Sequence, residues 1–253
     1  MTATEQTQLE EAAGLGGFDP STFKFKKYSW LRMARLSGEE GDQWVTAFMA
    51  TPLPRLIVLL DKALGLLRRN EVERGRKILQ HVDEKMAELE QAAEADDQAM
   101  PLIVPMRWTL GIEAYLHYLD RRYDKALETL DRAESIVKRV LATYGFLTDM
   151  ALAGKDFTVQ RARVARNQRD WAAMDNALGQ ARGMVAGEVP LLRLEDGREI
   201  FIETVVDHYR QCRLNEVERE ALEYYFDTDR NLGLFDVQTW QINFPSGFIV
   251  PYQ

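Results

Sequence analysis

The side chains able to do chemistry are few. Three histidines, His81, His117 and His208, and one cysteine, Cys212, are the only imidazole and thiol groups in the chain. Glu113 with His117, and His208 with Cys212, stand four residues apart, so on a helix each pair offers two donors from one face. A protein-held metal takes three or four such ligands, and no metal site is expected from two. Seven carboxylates between Asp83 and Asp97 (Asp83, Glu84, Glu88, Glu90, Glu94, Asp96, Asp97) lack the D-x-D-x-D-G spacing of a calcium loop. They read as a solvated helix face that frays before Pro101, which with Pro105 separates the first hairpin from the central one. There is no H-E-x-x-H, no P-loop, no G-x-S-x-G and no cysteine pair. No catalytic residue, metal or cofactor is assigned, and the chain is not expected to be an enzyme unless an all-helical pocket hosts chemistry without a motif.

The elements that must carry these residues are helices. Between Met106 and Lys138, Trp108, Ile112, Tyr115 and Leu119 fall at three- and four-residue spacing, which puts them on one helical face. Asp120-Arg121-Arg122 breaks the stripe and Tyr123 restarts it through Ala126, Leu127, Leu130, Ala133 and Ile136. Small Ala114 and Ala126 let two such helices approach closely. Aligned on the turn residue, the pattern recurs at Val72, Tyr123, Trp171 and Val217, which stand 51, 48 and 46 residues apart. Ala63, Ala114 and Ala162 precede the first three turns by nine residues, and Leu79, Leu130 and Leu178 follow them by seven. The pentapeptide Asn-Glu-Val-Glu-Arg appears at Asn70 and again at Asn215, with asparagine where a left-handed backbone is tolerable.

Small residue, aromatic at the turn, then small, large, small: this order in Ala114, Tyr123, Ala126, Leu130 and Ala133 resembles the tetratricopeptide (TPR) repeat. The copies are longer than the usual repeat of about 34 residues, and they lack its turn glycine and closing proline. The resemblance implies an all-α fold of antiparallel helical hairpins stacked as a short TPR-like α-solenoid over residues 55–229, with irregular N- and C-terminal arms. It also implies an inner groove lined by the first helix of each hairpin. The matching positions are Leu64, Tyr115, Arg163 and Tyr209 in one row and Leu67, Tyr118, Arg166 and Cys212 in the next. Trp108, Tyr115, Tyr118, Arg163, Arg166 and Tyr209 are then the candidate partner-binding groove, aromatic and partly cationic, suited to a peptide with an acidic group. The paired asparagine and lysine of the chaperone-binding carboxylate clamp are absent.

The flanks are expected to differ from the array. Residues 1–17 are acidic, end in Gly14, Gly16 and Gly17, and read as a disordered lead without a signal core. Residues 18–54 form an N-terminal arm and cap, in which Phe23-Lys24-Phe25-Lys26 alternates like an extended strand and the aromatics cover the first hairpin, as a terminal repeat requires. Glu39 to Met49 reads as a short helix with Trp44, Val45 and Phe48 on one face. Asp196-Gly197-Arg198-Glu199 opens the last hairpin as a capping box, although Asp-Gly also suits a β-hairpin turn; the helical spacing of Phe201, Val205, Tyr209 and Cys212 favours the helix. Residues 230–253 form an aromatic C-terminal arm with Phe235, Trp240, Phe244 and Phe248. Too apolar to stay solvated, it packs either on its own chain or on a partner subunit.

Composition bounds the function classes. The 253 residues are 46% hydrophobic and 28% charged, an ordinary balance for a folded chain. The longest apolar run, Leu56 to Leu60, is cut by Asp61-Lys62 and cannot span a bilayer. A net charge of −8 argues against general nucleic-acid binding. One cysteine fits a reducing compartment such as the cytoplasm. The expectation is a protein–protein interaction module: an adaptor, assembly factor or accessory subunit, homo-oligomeric or joined to a complex through its C-terminal arm. A regulator sensing a peptide or small ligand is the alternative.

Overall fold

Leu56, Ile57, Leu59, Leu60, Ala63, Leu66 and Leu67 crowd apolar side chains around more than one face of a helix, and all seven are buried. A computed structural model describes residues 29–93 and 100–212, with the backbone of 235–236 and 241–242. The described chain is mostly helical, as an all-α reading requires. Its nine α-helices are α1 (Ser29–Ser37), α2 (Glu39–Met49), α3 (Leu53–Arg68), α4 (Val72–Ala93), α5 (Met100–Leu119), α6 (Tyr123–Thr143), α7 (Ala153–Gln168), α8 (Trp171–Ala186) and α9 (Ile202–Gln211). A 3-10 segment, Gly145–Leu152, lies between α6 and α7. Among the described residues strands occur only as two antiparallel ribbons, β1 (Leu192–Arg193) with β2 (Glu199–Ile200), and β3 (Phe235–Asp236) with β4 (Gln241–Ile242). No single helix among the described residues is long and apolar enough to cross a membrane.

The chain divides into two compact units within α6, between Ile136 and Val137. The first unit is built on α3, which packs against α4 and α5. Ile78, Leu79, Val82 and Met86 of α4 and Leu110, Ile112, Ala114 and Leu116 of α5 complete its core. Arg76 of α4 donates to both carboxylate oxygens of Asp120, at 3.1 and 3.2 Å, so the first turn of α4 is tied to the end of α5. Burial alone would raise the Asp120 carboxyl; Arg122 and Arg76 outweigh it and hold the group below the usual carboxylate range.

The second unit gathers α1 and the start of α2 with the chain from Val137 on. Trp44 meets Trp30, Tyr144 and Phe146, with ring centroids 6.3, 5.6 and 5.8 Å apart. Residues 29–45 of the N-terminal arm therefore belong with these later residues, whereas 46–54 belong to the first unit. Helices α7 and α8 pack through Val159, Ala162, Ala177 and Ala181, with Met174 and Leu178 against them. Asp170 caps α8, its Oδ1 accepting from the Ala173 amide at 3.0 Å. At Gly154 a Cβ would stand 2.0 Å from the Leu191 carbonyl oxygen, so the start of α7 and the segment leading into β1 touch backbone to backbone.

One turn is used three times. Asn70 (φ 63°), Arg121 (φ 59°) and Arg169 (φ 61°) all take the left-handed conformation just after α3, α5 and α7. In each, the next amide reaches back five residues (Glu71 to Leu66, Arg122 to His117, Asp170 to Ala165), and the left-handed residue's own amide reaches back three. This double bond satisfies the orphan carbonyls of a helix end. Glycine is the usual occupant; an asparagine and two arginines hold the position here, at a strain of roughly 1 kcal/mol for each arginine.

Three other expectations are corrected. Asp196-Gly197 is not a helix cap: Gly197 has φ +84°, β1 and β2 pair as Leu192 with Ile200 and Arg193 with Glu199, and α9 starts only at Ile202. Asp196 Oδ1 accepts from the Arg198 amide, the side-chain bond of a turn. Pro101 and Pro105 lie inside α5 instead of separating hairpins: Pro101 falls in the first turn, where amides have no intrahelical acceptor to lose, whereas Pro105, one turn further in, has no amide to give to the Pro101 carbonyl. The C-terminal arm is not wholly irregular, since β3 and β4 pair Phe235 with Ile242. The lead 1–17 expected to be disordered, the Phe23–Lys26 alternation, Glu94 to Asp97, the turn expected at Val217, and Trp240, Phe244 and Phe248 lie outside the described residues.

Candidate functional site

Helix α5 turns Leu110, Ile112, Ala114 and Leu116 inward, which leaves Trp108, Tyr115 and Tyr118 half-buried. Tyr115 and Tyr118, three residues apart, stack with centroids 6.1 Å apart and planes 15° apart. Tyr118 also meets Tyr123 of α6 across the turn, at 6.2 Å. None of the three hydroxyls hydrogen-bonds among the described residues. The result is a stepped set of rings, apolar on their faces and polar at their tips. Nearer the middle of α5, the Arg107 guanidinium lies 4.6 Å from the centre of the Trp108 ring, a cation–π contact. Tyr123 was legible only as a turn residue; its place in the ring set follows from the tight Arg121 turn.

Glu113 and His117 do meet, with Oε1 and Nε2 3.5 Å apart. His117 Nδ1 is buried without a hydrogen-bond partner among the described residues. Asp83 of α4 faces the same acids. Protein packed around its carboxyl group, followed by like-charge repulsion from Glu113 and Glu84, pushes it up to about 6 although much of the residue reaches solvent. Among the described residues no three His, Cys, Asp or Glu side chains are grouped to hold a metal ion.

In the second unit, Arg163 and Arg166 are half-buried on α7, between the buried Ala162, Val164 and Ala165. Tyr209 corrects the expected groove. It is fully buried, and its hydroxyl donates to the carboxylate of Asp149, itself buried in the 3-10 segment. It is a core residue holding a buried acid, not a surface for a partner. Asp149 carried no sequence signal, because the 3-10 segment has neither helical nor strand periodicity. Cys212 is buried too; burial, then the charge of Asp149, pushes its thiol up to about 11. The thiol donates to the His208 carbonyl at 3.3 Å, which leaves it a small core group and no metal ligand.

His208 borders a cleft of about 560 Å³ together with Thr148, Phe201, Glu203, Thr204 and Asp207. Burial lowers its basicity, partly offset by a hydrogen bond to the Phe146 backbone. Its Nε2 is buried without a partner among the described residues. No protein-family model, curated protein or solved structure matches this chain.

Proposed function

We propose that this chain is a TPR-like helical-hairpin protein, stacked as a short α-solenoid, that works by binding another protein as an adaptor, assembly factor or accessory subunit. The observation that carries the reading is the turn built three times, at Asn70, Arg121 and Arg169, with the same two backbone bonds and at nearly the spacing of the sequence repeat. Repetition of one supersecondary unit is the mark of an array, and arrays bind partners along the helices they expose. The stacked Tyr115 and Tyr118, with Tyr123 beside them, supply rigid amphipathic rings of the kind that anchor protein interfaces. Arg163 and Arg166 remain candidates for an acidic group of the partner, and the aromatic arm beyond residue 230 for a second contact. A reducing compartment such as the cytoplasm suits the single Cys212.

The test is a pull-down from native lysate with the full-length chain beside its Tyr115→Ala/Tyr118→Ala variant, both with unchanged helicity. A partner recovered in near-equimolar amount by the first and lost by the second supports the reading. A partner retained by both moves the contact elsewhere, and no stoichiometric partner under any salt condition overturns it. The cleft beside His208 favours a second reading, a sensor of a small ligand. A metabolite mixture that raises the melting temperature, with the rise lost in His208→Phe, would support that instead.

A further inference from the structure

The first unit carries an excess of positive charge at one end. From Arg68 to Lys77 five basic residues face only Glu71 and Glu73, and from Asp120 to Lys125 three face Asp120 and Asp124. The Arg76–Asp120 bond puts these two stretches at the same end of the unit. Together they hold a net charge of +4 in a chain whose total is −8. Ion pairing does not neutralise them. Glu71 is shared by Arg69 and Arg74, and Asp120 by Arg76 and Arg122, so each carboxylate already serves two guanidiniums. Arg69 and Arg74 still expose 61% and 64% of their side chains. Arg68 and Arg121 are exposed and make no ion pair among the described residues. Arg121 holds its place at a positive φ, where a glycine would be less strained.

We infer that this turn end of the first unit is a docking face for an acidic segment of a partner protein. Carboxylates suit it better than a nucleic-acid backbone. The basic groups alternate with Glu71, Glu73, Asp120 and Asp124, which would repel a continuous line of phosphates, whereas glutamates and aspartates on an extended peptide can be spaced to meet the arginines one by one. Arginine with its planar fork is the side chain for that task, and Arg76 on both oxygens of Asp120 is a working example within the same patch. Tyr123 lies within the second stretch and Tyr118 meets it across the turn, so the face borders the rings of the reading above and shares with it the idea of a protein partner.

The experiment measures anisotropy of a fluorescein-labelled peptide rich in glutamate and serine, titrated with the full-length chain at low and at physiological salt. Arg68→Glu plus Arg121→Glu should weaken binding by at least about tenfold, since charge reversal at a rim acts directly on encounter and dissociation. The same charge change made as Arg132→Glu plus Arg139→Glu, with Arg132 about 13 Å further along α6 than Tyr123, should alter it by less than about twofold. Equal losses in the two doubles would reduce the effect to net charge and overturn the proposal. Loss only in Arg163→Glu plus Arg166→Glu would move the acid site to α7, which sinks this proposal and leaves the other reading standing. A labelled oligonucleotide bound as tightly as the peptide, and lost in the same variant, would assign the face to nucleic acid instead. If the glutamate double fails to fold, Arg68→Gln with Arg121→Gly, which the positive φ accepts, carries the same expectation.

Discussion

Tyr115 and Tyr118 in the first unit and Tyr209 in the second were expected to line one groove, and they have opposite fates. The first two are half-buried, stacked on each other and without hydrogen bonds among the described residues; the third is sealed in a core with its hydroxyl on Asp149. The spacing of side chains along a helix says which of them share a face. It does not say what covers that face. Over α9 the cover is α1 and the 3-10 segment, and neither has a counterpart in a repeat of paired helices.

The contrast can be broken most sharply at Tyr209. Tyr209→Phe removes a donor from a buried carboxylate and should cost about 2–3 kcal/mol in urea unfolding. Tyr115→Phe and Tyr118→Phe, which remove hydroxyls that bond nothing in the described chain, should each stay within about 0.5 kcal/mol. Similar losses for all three would erase the distinction. Next in size is Ala126→Trp, at a site only 1% exposed in α6. Overpacking there should cost about 1–3 kcal/mol, and unchanged melting would show that the helix faces another way. The smallest effect sets Asp83 against Asp149. Both are crowded acids, but Asp83 has no hydrogen-bond donor among the described residues. Its folded value, raised to about 6 from 3.8, means that the native state holds the proton more tightly than the unfolded chain does. That contribution favours folding below about pH 4 and is lost as pH rises through about 6. Asp83→Asn should therefore raise the melting temperature at pH 7 and leave it unchanged near pH 4, with a gain held to about 1 kcal/mol or less by solvent screening.

Helices were legible wherever apolar residues kept helical spacing, as in α3 to α6, because burial of one stripe is what stabilises them. The turn at Asn70 could be read from its asparagine. Those at Arg121 and Arg169 could not, since arginine has no preference for a left-handed backbone. Asp196-Gly197-Arg198-Glu199 satisfied two local rules at once, and the pairing of Leu192 with Ile200 decided between them. Of the candidate groove, Tyr115 and Tyr118 kept a common surface, while Tyr209 was lost to a contact 60 residues away along the chain. No local pattern encodes such a contact.

The two left-handed arginines have an evolutionary corollary. Arg121 and Arg169 sit in a backbone conformation that glycine enters freely, so heat resistance favours glycine at both, whereas the docking face inferred above would favour arginine at Arg121 alone. A library selected only for survival of heating should drift toward glycine at both. One selected for holding a partner should keep Arg121 and release Arg169, a record of which turn is exposed to recognition and which only to folding.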